Sequence, residues 1–230
     1  MIYCYVLGGI ALALTVLFLV VRTTVGGAYG IVTKTIASFA FILLGAVGIT
    51  QGGFDMFSLF VMLGLVCGLI GDIILDNKVV YKEHANIYLN SGMLSFGIGH
   101  VFYFVASTYL AASLANRGEI LFIAIGIALV ATFLIMLASK PLKLNFGKFF
   151  YQTLAYTLIL TFMSAYSILL ACYIPYMWIF AAGITLILLS DLVLSNQYFG
   201  GQQDNKLFTW INHVLYYLGQ IMIAASLFLL

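Results

Sequence analysis

The apolar residues of this chain lie in long unbroken runs that short polar segments separate. Each run is about 20 residues long, the length that an α-helix needs to cross the hydrocarbon core of a bilayer. A transmembrane β-barrel would instead show segments of about ten residues in which apolar and polar positions alternate. The pattern therefore predicts an all-α fold, a polytopic membrane helix bundle.

We predict eight transmembrane helices that form a single integral membrane domain over residues 1–230. The predicted spans are approximately 2–21, 35–50, 56–75, 87–113, 120–139, 149–172, 176–195 and 208–229. Turn-forming residues separate the runs, as at Gly52-Gly53, Pro141 and Pro175. By the same criterion, the polar pair Asp76-Asn77 is expected to end the third span.

Composition supports the membrane assignment and excludes other classes. Of 230 residues, 64% are hydrophobic and only 7% are charged, whereas a soluble domain carries about a quarter charged residues. Nine basic residues and a net charge of +2 do not supply a phosphate-binding patch, so no nucleic acid partner is expected. The three cysteines lack the spacing of a disulfide framework or a zinc knuckle.

The distribution of Lys and Arg predicts the orientation of the helices. Eight of the nine fall in odd-numbered loops, and only Arg117 falls in an even one. Because basic loops stay in the cytoplasm, the odd loops should be cytoplasmic and both termini exoplasmic. Short loops and the lack of a retention signal favour a bacterial inner membrane. The oligomeric state cannot be predicted.

Only two acidic residues fall inside predicted helices, Asp72 and Asp191. The other five lie in or beside predicted loops: Asp55, Asp76, Glu83, Glu119 and Asp204. Asp72 and Asp191 are the seventeenth and sixteenth residues of spans that run in the same direction, so they should lie at one depth. Intramembrane carboxylates are costly and usually functional, and a matched pair suggests one shared site. The structural alternative is that each accepts a hydrogen bond across a helix pair.

Short sequence echoes surround the two aspartates. Asp72 follows a glycine and Asp191 follows Ser190, and each precedes three aliphatic residues. His100 and His213 stand in the similar pentapeptides GHVFY and NHVLY further along the chain. Offsets of 119 and 113 residues are about half the chain, which is the basis for predicting two parallel four-helix halves.

Several other polar residues in the predicted spans are candidates for a supporting role. His100 and His213 could move a proton or orient water, or bridge two helices as neutral rings. Lys34, at the predicted start of the second span, could bind a phosphate headgroup or anchor the helix at the membrane surface. The remaining candidates are Tyr103, Tyr156, Tyr216, Tyr217, Gln220 and Ser190, for which helix packing is the alternative.

Four motifs in order resemble the YhhN or lysoplasmalogenase family of eight-span membrane proteins. They are GLIGDIILD at 68–76, FGIGHVFY at 96–103, LLSDLVLS at 188–195 and HVLYYLGQIMIA at 213–224. The family's usual Lys-Pro at the start of the second span is Lys34-Thr35 here. The resemblance implies hydrolysis of the vinyl-ether bond of lysoplasmalogens, which are 1-alkenyl lysophospholipids, to a fatty aldehyde and a glycerophospho-amine.

Two carboxylates suit this reaction. Cleavage begins when a proton adds to the alkenyl carbon β to the oxygen, which creates an oxocarbenium-like cation that water then attacks. Asp72 and Asp191 could divide the roles of acid and anion, as carboxylate pairs do at glycosidic bonds, although the sequence leaves open which one is the acid. No cofactor is expected on this mechanism.

Two other interpretations use the same residues. Two Asp and two His could hold zinc, but they lie on four different predicted helices and no HExxH motif is present. A small-solute or proton-coupled transporter could use the aspartates to carry protons or bind a cation. A purely structural membrane protein would explain the hydrophobicity but not the paired aspartates.

Overall fold

The computed structural model describes residues 2–115, 117–202 and 205–229. These residues form eight α-helices, two short 3-10 helices and no strand. The helices are α1 (Ile2–Thr24), α2 (Gly27–Gly52), α3 (Met56–Val80), α4 (Ala85–Ala111), α5 (Arg117–Ala138), α6 (Phe150–Ala171), α7 (Met177–Phe199) and α8 (Lys206–Ser226). The predicted all-α fold is confirmed.

Two of the predicted spans are clearly shorter than the helices that contain them, and both differences concern charged residues. α2 begins at Gly27 and not at residue 35, and α3 continues past Asp76 to Val80. Gly26 and Gly27 form the turn before α2 with φ values of 68° and 56°, a conformation that favours glycine. Lys34 and Asp76 therefore lie within helices, because each charge has an ionic partner there.

Seven helices of the described part of the chain, α1 to α7, are long and apolar enough to cross a membrane. α8 has 21 residues, which is a sufficient length, but Asn212, His213 and Gln220 lower its hydropathy. The chain is an integral membrane protein, and the crossing of the membrane by α8 stays a prediction.

The chain divides into two compact units, unit 1 and unit 2. Unit 1 comprises residues 1–110 and 220–230, and its helix α2 packs against both α1 and α3. α4 packs closely on α3, because Gly64 leaves room for the ring of Tyr103, which a Cβ at Gly64 would overlap. Gly48 leaves similar room for Leu227 and Phe228 at the end of the chain.

Unit 2 comprises residues 111–219, and its helix α6 packs against both α5 and α7. Hydroxyl pairs join these helices: Thr132 and Thr161 are 2.8 Å apart, and Ser164 and Thr185 are 2.9 Å apart. Such pairs satisfy buried hydroxyls where water is absent.

The register of α4 on α3 in unit 1 matches the register of α8 on α7 in unit 2. A Cβ at Gly99 would lie 3.1 Å from the carbonyl oxygen of Gly64, and one at Gly219 would lie 2.7 Å from that of Gly183. The matched residues are 119 residues apart on α3 and α7, and 120 apart on α4 and α8. Asp72 and Asp191 are also 119 residues apart, so they fit this register.

The histidine echo does not fit the same register. At an offset of 120, His100 corresponds to Gln220, and His213 corresponds to Met93. In this register the two histidines do not occupy equivalent positions, and the duplication stays a prediction. The parallel arrangement of the two halves stays a prediction.

A reporter that is active only outside the cytoplasm tests both the orientation and α8. Fused after Leu230, it should be active, because eight crossings return the chain to the exoplasmic side. Fused within residues 140–148, it should be inactive. Inactivity at both positions would show that α8 does not cross, and activity only in the loop would reverse the orientation.

Candidate functional site

Asp72 lies within α3 and is 2% exposed, with two partners on α2. The Lys34 Nζ is 3.2 Å from its Oδ1, and the Ser38 hydroxyl donates a hydrogen bond of 2.6 Å to its Oδ2. A buried carboxylate needs both a counter-ion and hydrogen-bond donors to offset its lost hydration. Asp72 has both.

Asp76 belongs to the same group of charges, which corrects its placement in a loop. It is 3% exposed, and its Oδ1 lies 3.2 Å from the Lys34 Nζ. Its Oδ2 lies 3.1 Å from an Arg22 guanidinium nitrogen at the end of α1. Arg22, Lys34, Asp72 and Asp76, called the charge cluster below, form a linked network of ion pairs. The buried Lys78 of α3 also interacts electrostatically with Asp76.

Helix periodicity explains how the charge cluster assembles. Lys34 and Ser38 are four residues apart on α2, and Asp72 and Asp76 are four residues apart on α3, so each pair lies on one helix face. Consecutive helices joined by a short turn run antiparallel, which brings the start of α2 beside the end of α3. The two faces meet with Lys34 between the carboxylates.

A glycine on α2 admits the fourth member of the charge cluster. The Arg22 side chain crosses α2 at Gly30, where a Cβ would lie 3.2 Å from the Arg22 Cδ. A side chain at Gly30 would crowd the arginine, whose side chain would have to shift by a few tenths of an ångström.

Asp191 lies within α7 and accepts a hydrogen bond of 2.7 Å from the Tyr156 hydroxyl of α6. Like Asp72, it lies eight residues before the last residue of its helix, about 12 Å from that end. Each aspartate also accepts a hydroxyl hydrogen bond from the second helix of its unit, Ser38 or Tyr156. Tyr156 was one of four tyrosines considered as supporting residues from the sequence, but its bond to Asp191 was not predicted.

Ser190 is buried, and its contacts join α7 to α8 within unit 2. Its hydroxyl donates to the carbonyl oxygen of Asn212 at 3.0 Å, and the Asn212 amide donates to the Ser190 carbonyl at 2.9 Å. These reciprocal hydrogen bonds fix the two helices beside Asp191, which supports a structural role for Ser190.

The two histidines have the same local hydrogen bond. The Nδ1 of His100 lies 2.9 Å from the Phe96 carbonyl oxygen, and that of His213 lies 2.8 Å from the Thr209 carbonyl oxygen. Since a carbonyl only accepts, each Nδ1 carries a proton, and Nε2 is the acceptor nitrogen of a neutral ring. Both rings thus have the tautomer that could accept a proton at Nε2.

The predicted tyrosines and Gln220 are buried. In unit 1, the Tyr103 ring lies edge-on to His100 with centroids 5.6 Å apart, and its hydroxyl is 3.4 Å from the Gln220 Oε1. In unit 2, the rings of Tyr216 and Tyr217 pack against each other with centroids 5.2 Å apart.

The structure thus brings together some of the predicted site residues. It places Lys34 against Asp72, and Tyr103 against His100 and Gln220. A shared site for Asp72 and Asp191 stays a prediction, as does the headgroup role of Lys34. Asp204 lies outside the described residues, and among those described no group of three His, Cys, Asp or Glu side chains could hold a metal ion.

The fold and the site define the class of this protein, which is a helical integral membrane protein with aspartates inside its helices. A family model for the YhhN family matches residues 29–227. The chain belongs to the YhhN family, as the resemblance of its four motifs predicted. No curated protein and no solved structure matches the chain.

Asp76→Asn tests the charge cluster through stability. The change leaves Lys34 and Arg22 without one buried carboxylate, so the free energy of unfolding should fall by about 3–5 kcal/mol. Denaturant unfolding of the detergent-solubilised protein measures the change. Glu83→Gln is the control, because the Glu83 side chain is 80% exposed and its replacement should have little effect. Equal stability of the two variants would contradict the buried network.

Proposed function

We propose that this protein is a membrane-embedded hydrolase that cleaves the vinyl-ether bond of lysoplasmalogens by acid-base catalysis with Asp72 and Asp191. The observation that carries the proposal is the pair of intramembrane aspartates, each eight residues from the end of its helix and each bonded to a hydroxyl. Membership of the YhhN family supports it, because that family is associated with lysoplasmalogenase activity.

The reaction requires an acid, an anion and one water molecule. A carboxylic acid protonates the alkenyl β-carbon, and the electrons of the double bond form the new C–H bond. The oxygen-bearing carbon becomes an oxocarbenium ion, which the second carboxylate stabilises in a medium of low dielectric. Water then adds to that carbon, and the resulting hemiacetal breaks into an aldehyde and the glycerol hydroxyl.

The membrane location suits such a substrate. A lysoplasmalogen has one alkenyl chain, which favours the apolar environment of the helices, and a phosphate headgroup that stays at the bilayer surface. If the end of the helix lies at the bilayer surface, a carboxylate about 12 Å before that end is at the depth expected for the first bonds of the alkenyl chain. The histidines, with an acceptor Nε2, are suited to move protons between solvent and the aspartates.

The buried charge cluster also suits the alternative, a proton-coupled transporter, because linked ionisable groups can pass protons. The two functions differ in what they need. A hydrolase releases aldehyde in detergent solution without any gradient, whereas a transporter moves its solute only across a sealed membrane and leaves the vinyl ether intact.

Asp72→Asn and Asp191→Asn should each reduce the rate of aldehyde release by about two to four decades. Asparagine keeps the volume of the side chain but neither donates an acid proton nor holds a negative charge. The measurement is turnover of an alkenyl lysophospholipid by detergent-solubilised protein of confirmed fold.

Glu119→Gln is the control for these variants, since Glu119 is an exposed acid in the first turn of α5 and should be dispensable. Near-normal turnover by either asparagine variant would rule out a two-aspartate mechanism.

Turnover in heavy water tests the protonation step. Because the acid proton exchanges with solvent, the aldehyde should carry one deuterium on the carbon next to the carbonyl. Rapid trapping of the aldehyde prevents later exchange, and mass spectrometry counts the deuterium. An aldehyde without deuterium would exclude protonation at carbon. Loss of activity with a chelator would instead assign the aspartates to a metal.

A further inference from the structure

We propose that unit 2 binds a water molecule between its helices α6 and α7, held by the Thr153 hydroxyl and the carboxyl group of Asp191. In the proposed function, this water is the one that attacks the oxocarbenium ion, and Thr153 is the residue that positions it. The role of the water rests on that function, whereas its binding does not. All residues that define the water site belong to unit 2.

The Thr153 hydroxyl is the first argument for the water site. Thr153 lies in the first turn of α6 and is 7% exposed, and its Oγ1 has no hydrogen-bond partner in the described part of the chain. By contrast, Thr161 and Thr185 of the same unit each donate to the carbonyl oxygen four residues earlier. A buried hydroxyl without a protein partner is costly, and bound water commonly supplies its hydrogen bond. Thr153 therefore indicates a small polar ligand inside unit 2.

The face of α6 on which Thr153 lies is the second argument. Two residues of α6 have hydrogen bonds to α7: Tyr156 donates to Asp191, and Ser164 pairs with Thr185 at 2.9 Å. Thr153 is three residues before Tyr156 and eleven before Ser164, so the three share one face of the helix. Thr153 is thus on the side of α6 that packs against α7.

The direction of the Tyr156 side chain is the third argument. In an α-helix, a long side chain points toward the N-terminus and covers the residues three and four positions earlier. For Tyr156 these include Thr153, so the tyrosine hydroxyl and the Asp191 oxygen bonded to it at 2.7 Å are directed toward the turn of Thr153. A hydroxyl and a carboxyl group supply the two or more polar partners that a buried water requires.

The water site suits the second half of the proposed reaction. The Thr153 hydroxyl donates to one lone pair of the water, the water donates one hydrogen to Asp191, and the other lone pair attacks the oxocarbenium carbon. As the C–O bond forms, that hydrogen passes to Asp191 as a proton and a neutral hemiacetal results. The proton that Asp191 takes up balances the one that was added to carbon. The sum is one vinyl ether and one water converted to one aldehyde and one alcohol.

Infrared spectroscopy of the full chain without substrate tests the water site. In a film from which bulk water has been removed, the O–H stretching band of a bound water shifts when its oxygen is replaced by a heavier isotope, whereas the bands of protein groups do not. The wild type should have one such band that Thr153→Val lacks and Thr153→Ser retains. Asp191→Asn should change its frequency, because the water donates to that side chain.

Thr132→Val is the matched control for the spectra. It also removes a buried threonine hydroxyl from unit 2, but one that pairs with Thr161 at 2.8 Å, so every isotope-sensitive band should remain. Identical isotope-sensitive bands in the wild type and Thr153→Val would overturn the proposal. In that case the Thr153 hydroxyl would be unsatisfied, and Thr153→Val would raise Tm because it removes a destabilising group.

Aldehyde release tests the role of the water in the reaction. Thr153→Val should lower kcat about fivefold to tenfold, the effect of one lost hydrogen bond, and should leave KM nearly unchanged. Thr153→Ser should restore most of the rate, and Thr132→Val should match the wild type. A normal kcat for Thr153→Val would refute the positioning role of Thr153.

The spectra and the activity assay fail independently. A water band that depends on Thr153, in a protein that releases no aldehyde, would keep the water site and remove the proposed function. Aldehyde release by a protein without that band would keep the function and overturn the water site.

Discussion

The cost of a charge in the membrane is the constraint on which this structure depends. Asp72 and Asp76 lie within a helix that crosses the bilayer, and Lys34 between them offsets the loss of hydration. The turn at Gly26 and Gly27 and the open face at Gly30 allow Arg22 to complete the network. The first three helices thus pack so that these buried charges are paired, since each charge alone would be too costly in the membrane.

Asp72 and Asp191 stand at comparable places in their units. Each carboxyl group accepts a hydroxyl hydrogen bond, and Asp72 also belongs to the charge cluster. Two carboxyl groups in different surroundings can divide the roles of acid and base, as the proposed function requires.

The helices were predictable because apolar runs of membrane length leave few alternatives, and motif order was sufficient to predict the family. The charge cluster was not predicted, since hydropathy ends a span at its first charges and so placed Lys34 and Asp76 at helix ends. The spacing of four residues on both helices was the signal that could have revealed it. The bond of Tyr156 to Asp191 was not predicted, because the sequence does not show which residue a tyrosine at a helix interface contacts. The histidine echo differs in offset from the aspartate echo, so the sequence alone did not fix one register for the two halves.

The central claim is that this protein breaks a vinyl ether by protonating carbon. The most direct measurement compares two lysophospholipids that differ only in the first double bond of the chain, 1-alkenyl and 1-alkyl, as substrates for the purified wild-type protein. The account predicts fatty aldehyde from the alkenyl lipid and no product from the alkyl lipid, which has no alkene to protonate. Cleavage of both lipids, or of neither, would contradict it.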